Sequence, residues 1–101
     1  MMKKAREIIS NGQNDCFFIF DPAAVTRRIQ MWKKLLPEVD IFYAVKANSD
    51  DIIVKKMVNG GHNFDCASPS EIEKVLESGA LPKNIIYANP VKKIEHIMYA
   101  K

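Results

Sequence analysis

An α/β fold built around a parallel sheet is what this 101-residue sequence predicts, and three observations predict it. Three strand-like runs, Ile41–Lys46, Asn63–Ala67 and Asn84–Ala88, start 22 and 21 residues apart. Capping residues and an amphipathic stretch of helical period come after each one. The first run, Ile41-Phe42-Tyr43-Ala44-Val45, is branched and aromatic without polar alternation, the pattern of a strand buried on both faces and hence of a parallel one. Three successive βα units joined by right-handed crossovers satisfy all three observations.

Phe17–Phe20 is a short apolar run that reads as a strand, and Asp21-Pro22 then supplies an N-cap and a first-turn proline. Val25, Ile29, Trp32 and Leu36 share one face of the next helix, and Pro37 ends it. After the strand at Ile41–Lys46, Ser49 or Asp50 caps a helix carrying Ile53, Met57 and Val58, and Asn59-Gly60-Gly61 stops it. Asn63–Ala67 is the second strand. Ser68-Pro69-Ser70-Glu71 spells a capping box for a helix with Ile72, Val75 and Leu76 inward, closed by Gly79. Asn84–Ala88 is the third strand, and Asn89-Pro90 opens a helix expected to turn Val91, Ile94, Ile97 and Met98 inward. That helix meets Lys101 with no stop signal, and the third strand would keep an unpaired edge. The expectation is a fragment of a longer chain, or an assembly that completes its sheet with another chain.

Composition excludes several classes. Hydrophobic residues make up 48%, which is ordinary for a globular protein. The net charge of +3 comes from 15 basic and 12 acidic residues mixed along the chain, without the basic-aromatic patch of a nucleic-acid reader. Cys16 and Cys66 belong to no metal or disulfide framework, so a reducing cytoplasm is the expected compartment. The basic start lacks a signal-peptide core, since Arg6, Glu7 and Asn11 interrupt it, and no run approaches the ~20 apolar residues of a membrane span.

Lys46 is the residue with the most chemistry to offer. At the carboxyl end of a strand it faces the mouth of an α/β sheet, where small molecules bind. A lysine there is most often a solvated charge; it becomes a Schiff-base nucleophile when desolvation lowers its pKa. Asp65, near the end of the next strand, can reach the same mouth and orient such an amine, or sit in water as a surface carboxylate. Glu71 is accounted for by the capping box, and Cys66 by packing. His62 and His96 have no second ligand at metal spacing, and Gly60-Gly61 serves helix termination better than phosphate binding. The Lys55-Lys56 and Lys92-Lys93 pairs read as solvated helix faces.

Tyr43-Ala44-Val45-Lys46-Ala47-Asn48, Asn63-Phe64-Asp65-Cys66-Ala67-Ser68 and Ile85-Ile86-Tyr87-Ala88-Asn89-Pro90 together resemble the start of the ornithine, diaminopimelate and arginine decarboxylase family, from about Phe17 to Lys101. The second and third stretches are most similar to the branch that acts on ornithine. The resemblance implies the first three βα units of an alanine-racemase-like (β/α)8 TIM barrel, preceded by a short strand and helix. Residues 1–20 would be an amino-terminal segment contributing a strand to an accessory β domain, and residues 21–101 the start of the pyridoxal-phosphate-binding barrel. It implies that Lys46 binds pyridoxal 5'-phosphate covalently and is catalytic, that Ala44 and Asp65 line the cofactor, and that Glu71 lies close by. It also implies conversion of L-ornithine to putrescine and carbon dioxide in a full-length homodimer, with an antizyme-like regulator as a further partner. The phosphate loop and the partner-subunit residues of the family are absent from these 101 residues, so the isolated chain is expected to be inactive. Lysine, arginine or diaminopimelate as substrate are the alternatives within the family. Beyond it stand a non-catalytic homologue like the antizyme inhibitors and an alanine-racemase-like cofactor protein.

Overall fold

The computed structural model describes residues 1–101. Strands β1 (Phe42–Ala44), β2 (Asn63–Cys66) and β3 (Ile85–Tyr87) form one parallel sheet in that order. Each is shorter than its apolar run. Pairing ends after β1 where Val45–Ala47 tightens into a 3-10 turn, and begins at β3 only after a second such turn at Pro82–Asn84.

The helices are α1 (Met2–Ser10), α2 (Pro22–Leu35), α3 (Asp51–Asn59), α4 (Pro69–Glu77) and α5 (Ile94–Tyr99). Three of them begin on side-chain caps that satisfy backbone donors with no helical partner. The Asp21 carboxylate accepts the Ala23 N–H at 3.0 Å. Asp50, rather than Ser49, accepts the Ile52 N–H at 2.9 Å, and Ser68 Oγ accepts the Glu71 N–H at 3.2 Å. Gly61 and Gly79, with φ of 68° and 99°, carry the chain away from α3 and α4 in the left-handed region.

The core lies on one side of the sheet, beneath α3 and α4. Phe64, Val45, Val54, Val75 and Cys66 are fully enclosed there, with Ile53, Met57 and Ile72 completing the cluster. Enclosing the Phe64 ring alone contributes roughly 2–3 kcal/mol. Val25 and Ile29 of α2 pack against the margin of this cluster.

Four expectations are corrected. Phe17–Phe20 pairs with no strand, because a ladder needs a neighbour and none runs beside it; Phe18 is fully exposed. The amino-terminal residues instead form α1, which buries no residue. β1 is not buried on both faces, since helices cover only one, and Phe42 stays 46% exposed. α5 begins at Ile94 rather than at Asn89-Pro90, and Val91, Ile94, Ile97 and Met98 are exposed. A helix of a βα unit covers the sheet between its own strand and the next, and β3 has no next strand in this sheet. On α2 and α4 the outermost members of the apolar faces, Leu36 and Leu76, also stay largely exposed.

His62 stands just before β2, 8% exposed, its ring lying over Gly60. A Cβ at Gly60 would come within 2.7 Å of His62 Cδ2. Gly60→Ala is therefore expected to destabilise the protein by about 1–2 kcal/mol, and His62→Ala in the same chain to relieve that loss, both read from thermal unfolding. Burial, reinforced by Lys33, holds the His62 pKa below its ordinary value. The unfolded imidazole takes up its proton near pH ~6.5 and the folded one only at lower pH. This contribution to stability is complete above about pH 6.5 and is lost as pH falls through the folded value. Denaturant titrations at falling pH should show the loss in the native protein and a flatter dependence in His62→Gln.

Candidate functional site

Strand alternation sorts the side chains of β2. Phe64 and Cys66 are enclosed on the helix side, so Asn63 and Asp65 point to the opposite face. Pairing register then extends that face across the sheet, with Ala44 opposite Asp65 and Asp65 opposite Ile86. Ala44, Asp65 and Ile86 thus form one row on the face that no helix covers. Below it, Phe42 pairs with Asn63, whose Oδ1 accepts from Asn84 Nδ2 at 2.7 Å.

Lys46 lies two residues beyond Ala44, in the 3-10 turn Val45–Ala47 rather than on the strand itself. Its neighbours hold that turn firmly. Val45 is fully buried in the core, and on the far side the Tyr43 hydroxyl donates to the Asn48 carbonyl at 2.8 Å. Burial, with the charge of Asp50 adding to it, pushes the Tyr43 phenol above its usual range, so it remains a donor. Lys46 itself is exposed and makes neither a hydrogen bond nor an ion pair within the chain. It stands at the carboxyl end of the sheet, where α/β proteins place their sites.

Asp65 is half-buried, and its Oδ1 is a buried acceptor with no partner. An unpaired carboxylate oxygen out of water costs free energy until a donor or cation reaches it. The residues present fit pyridoxal phosphate: a free primary amine for its aldehyde, a vacant carboxylate acceptor for positive charge, and at Ala44 a side chain small enough to let a ring approach. The largest concavity, about 370 Å³, lies elsewhere, between α2, β1 and α3 against Ile29, Trp32 and Tyr43. It is almost wholly apolar and carries no group for this chemistry.

The remaining candidates divide between structure and support. Glu71 Oε2 accepts the Ala67 N–H at 2.7 Å, one residue earlier than the N–H of Ser68 that a capping box would engage. Cys66 is packed as expected, and burial, with Glu71 and Asp65 adding charge, pushes its thiol up to about 12. His96 Nδ1 is 3.4 Å from the Tyr87 hydroxyl, and His62 lies at the opposite end of the sheet. Asn89, which the sequence presents as a helix opener, does more. Its Oδ1 accepts the Val91 N–H at 3.2 Å, while its Nδ2 donates across to the Ala67 carbonyl at 3.0 Å. An Asn-Pro pair after a strand marks an Asx turn, which is the sequence signal for the Val91 contact; the contact with Ala67 has none.

Known proteins resemble this chain in sequence and in fold. The family described as pyridoxal-dependent decarboxylase, pyridoxal binding domain, matches residues 22–101. Antizyme inhibitor 2 of Xenopus laevis is 46% identical over 94 residues, covering 93% of this chain and 21% of that protein. Ornithine decarboxylase of Rattus norvegicus is 42% identical over 98 residues, covering 97% and 21%. The crystal structure of the Paramecium bursaria Chlorella virus arginine decarboxylase superposes with a TM-score of 0.91 at 38% identity, covering all of this chain and 28% of the other. The chain spans about a fifth of the length of the curated relatives it matches. Its parallel sheet corresponds to the amino-terminal barrel of these decarboxylases. No helix in it is long and apolar enough to cross a membrane.

The burial and raised pKa of Cys66 predict that its thiol resists iodoacetamide in the native protein at neutral pH and is labelled only after unfolding. Mass mapping of the modified cysteine checks this.

Proposed function

We propose, because this chain belongs to the pyridoxal-dependent decarboxylase family, that it is the amino-terminal part of a cofactor-binding barrel that decarboxylates a basic amino acid, L-ornithine foremost. In this reading residues 1–20 contribute to an accessory β domain and residues 21–101 begin the barrel. The complete enzyme works as a homodimer. The observation that carries the reading is the placement of Asp65, with its unpartnered oxygen, opposite Ala44 and beside the turn that presents Lys46.

The cofactor, when bound, supplies the electron sink that makes loss of carbon dioxide from an α-amino acid feasible. The work of this chain is to hold and orient. Lys46 Nζ would be the group that holds the cofactor, through its aldehyde. Asp65 offers its vacant oxygen to the positive charge that would develop beside Lys46. Ala44 keeps the face of the sheet low beside Asp65 and would leave room for a planar ring. The enclosed Val45 and the Tyr43–Asn48 hydrogen bond fix the turn, so the backbone position from which Lys46 projects is held in place.

Ornithine leads because the similarity includes ornithine decarboxylases at 39–43% identity; lysine, arginine and diaminopimelate are the alternatives. A second reading rests on the 46% identity to antizyme inhibitor 2: a homologue that binds a regulator of the enzyme and performs no decarboxylation. The deciding experiment uses the full-length protein that carries this segment. With pyridoxal phosphate it should release carbon dioxide from ornithine faster than from lysine or arginine, and borohydride should fix the cofactor on Lys46. Lys46→Ala is expected to lower the rate by at least about a hundredfold and to abolish the adduct. Wild-type protein that gives neither adduct nor carbon dioxide from any of these amino acids supports the regulatory reading.

A further inference from the structure

Two carboxylates stand at the carboxyl end of β2, and the structure treats them oppositely. Asp65 Oδ1 is buried with no partner, whereas Glu71 Oε2 is taken by the Ala67 N–H at 2.7 Å. Ala67 is in turn held from its other side, because its carbonyl accepts Asn89 Nδ2 at 3.0 Å. Asn89 cannot swing away freely, since its Oδ1 accepts the Val91 N–H at 3.2 Å. The peptide groups on both sides of Ala67 are therefore clamped between α4 and the chain leaving β3.

We propose that Asn89 is a positioning residue: by clamping Ala67 it keeps the Glu71 carboxylate engaged, so that Asp65 alone is free to face the cofactor-bearing amine. This rests on the reading of Lys46 and Asp65 as the cofactor site. With the Asn89 donor gone, the Ala67 peptide is held only through the Cys66 carbonyl, which accepts the Ala88 N–H at 2.9 Å, and it can tilt about that bond and loosen Glu71. A second free carboxylate beside Asp65 makes ionisation of the pair harder and competes for the same positive charge. A merely structural Asn89, tying the ends of β2 and β3 together, would matter equally whether or not residue 71 is charged. The charge of Glu71 thus separates the two roles. Gln at position 71 keeps an oxygen for the Ala67 N–H but has no charge to release.

The test compares Asn89→Ala, Glu71→Gln and the double variant in the full-length protein, with Asn89→Gln as the variant that retains the donor. The readouts are hydrogen exchange at the Ala67 amide, the dissociation constant for pyridoxal phosphate, and the pH midpoint of the bound cofactor's visible absorbance. Asn89→Ala should speed exchange at Ala67, weaken cofactor binding roughly tenfold and move the midpoint to higher pH. Asn89→Gln should restore most of this, and in the Glu71→Gln background Asn89→Ala should change affinity and midpoint little. Equal losses in both backgrounds would overturn the proposal, as would an Ala67 amide that stays protected in Asn89→Ala. Wild-type protein that binds no pyridoxal phosphate would sink the site reading instead, and the clamp would then be judged by Ala67 exchange alone.

Discussion

The register of the β1–β2–β3 pairing is the constraint on which the rest of this structure depends. With Tyr43 opposite Phe64 and Ala44 opposite Asp65, the rings turn toward the helices and the small and charged side chains toward the open face. A slip of one residue would reverse every side chain on β2. Phe64 would enter water at a cost of about 2–3 kcal/mol, and Asp65 would enter the apolar layer, where an unpaired charge costs several kcal/mol. The hydrophobic contacts that stabilise the fold therefore also place the proposed site.

Burial in these 101 residues is one-sided. Nine residues are buried, and all lie in the layer between sheet and helices or at its lower rim. The face that carries Ala44, Asp65 and Ile86 has no cover, and the outer edges of β1 and β3 have no pairing partner. Desolvation, which tunes an amine for nucleophilic work, requires that face to be enclosed. Positioning and enclosure are thus separable here: sheet pairing sets the row of Ala44, Asp65 and Ile86, and no element of the structure covers it. The chain covers 28% of the arginine decarboxylase on which it superposes.

The turn after β1 and the clamp after β2 share a design. In each, a structural contact fixes the backbone next to a residue of the proposed site: Val45 beside Lys46, and Ala67, held through Asn89, beyond Asp65. Anchoring of this kind limits what a flexible lysine or a short aspartate can explore. Cys66, between Asp65 and Ala67, is the buried peg that pins the strand end.

What the sequence determined by itself was most of what contacts within a few residues set, the onset of α5 and the partner of Glu71 excepted. The caps at Asp21 and Ser68, the choice of Ser49 or Asp50 for α3, the glycine exits and the three strands with their spacing were legible, because each rests on local geometry; Lys46, Ala44 and Asp65 were nominated from strand-end position and short motifs. Tertiary structure alone decided which face each strand presents, that Phe17–Phe20 has no ladder to join, and that α5 leaves its apolar side in water. It alone brought Asn89 to the Ala67 carbonyl, 22 residues away in the chain. Those outcomes depend on the elements packed alongside a segment, not on the residues next to it in the chain. A neighbour supplied by sheet pairing leaves no mark at a fixed spacing in the sequence.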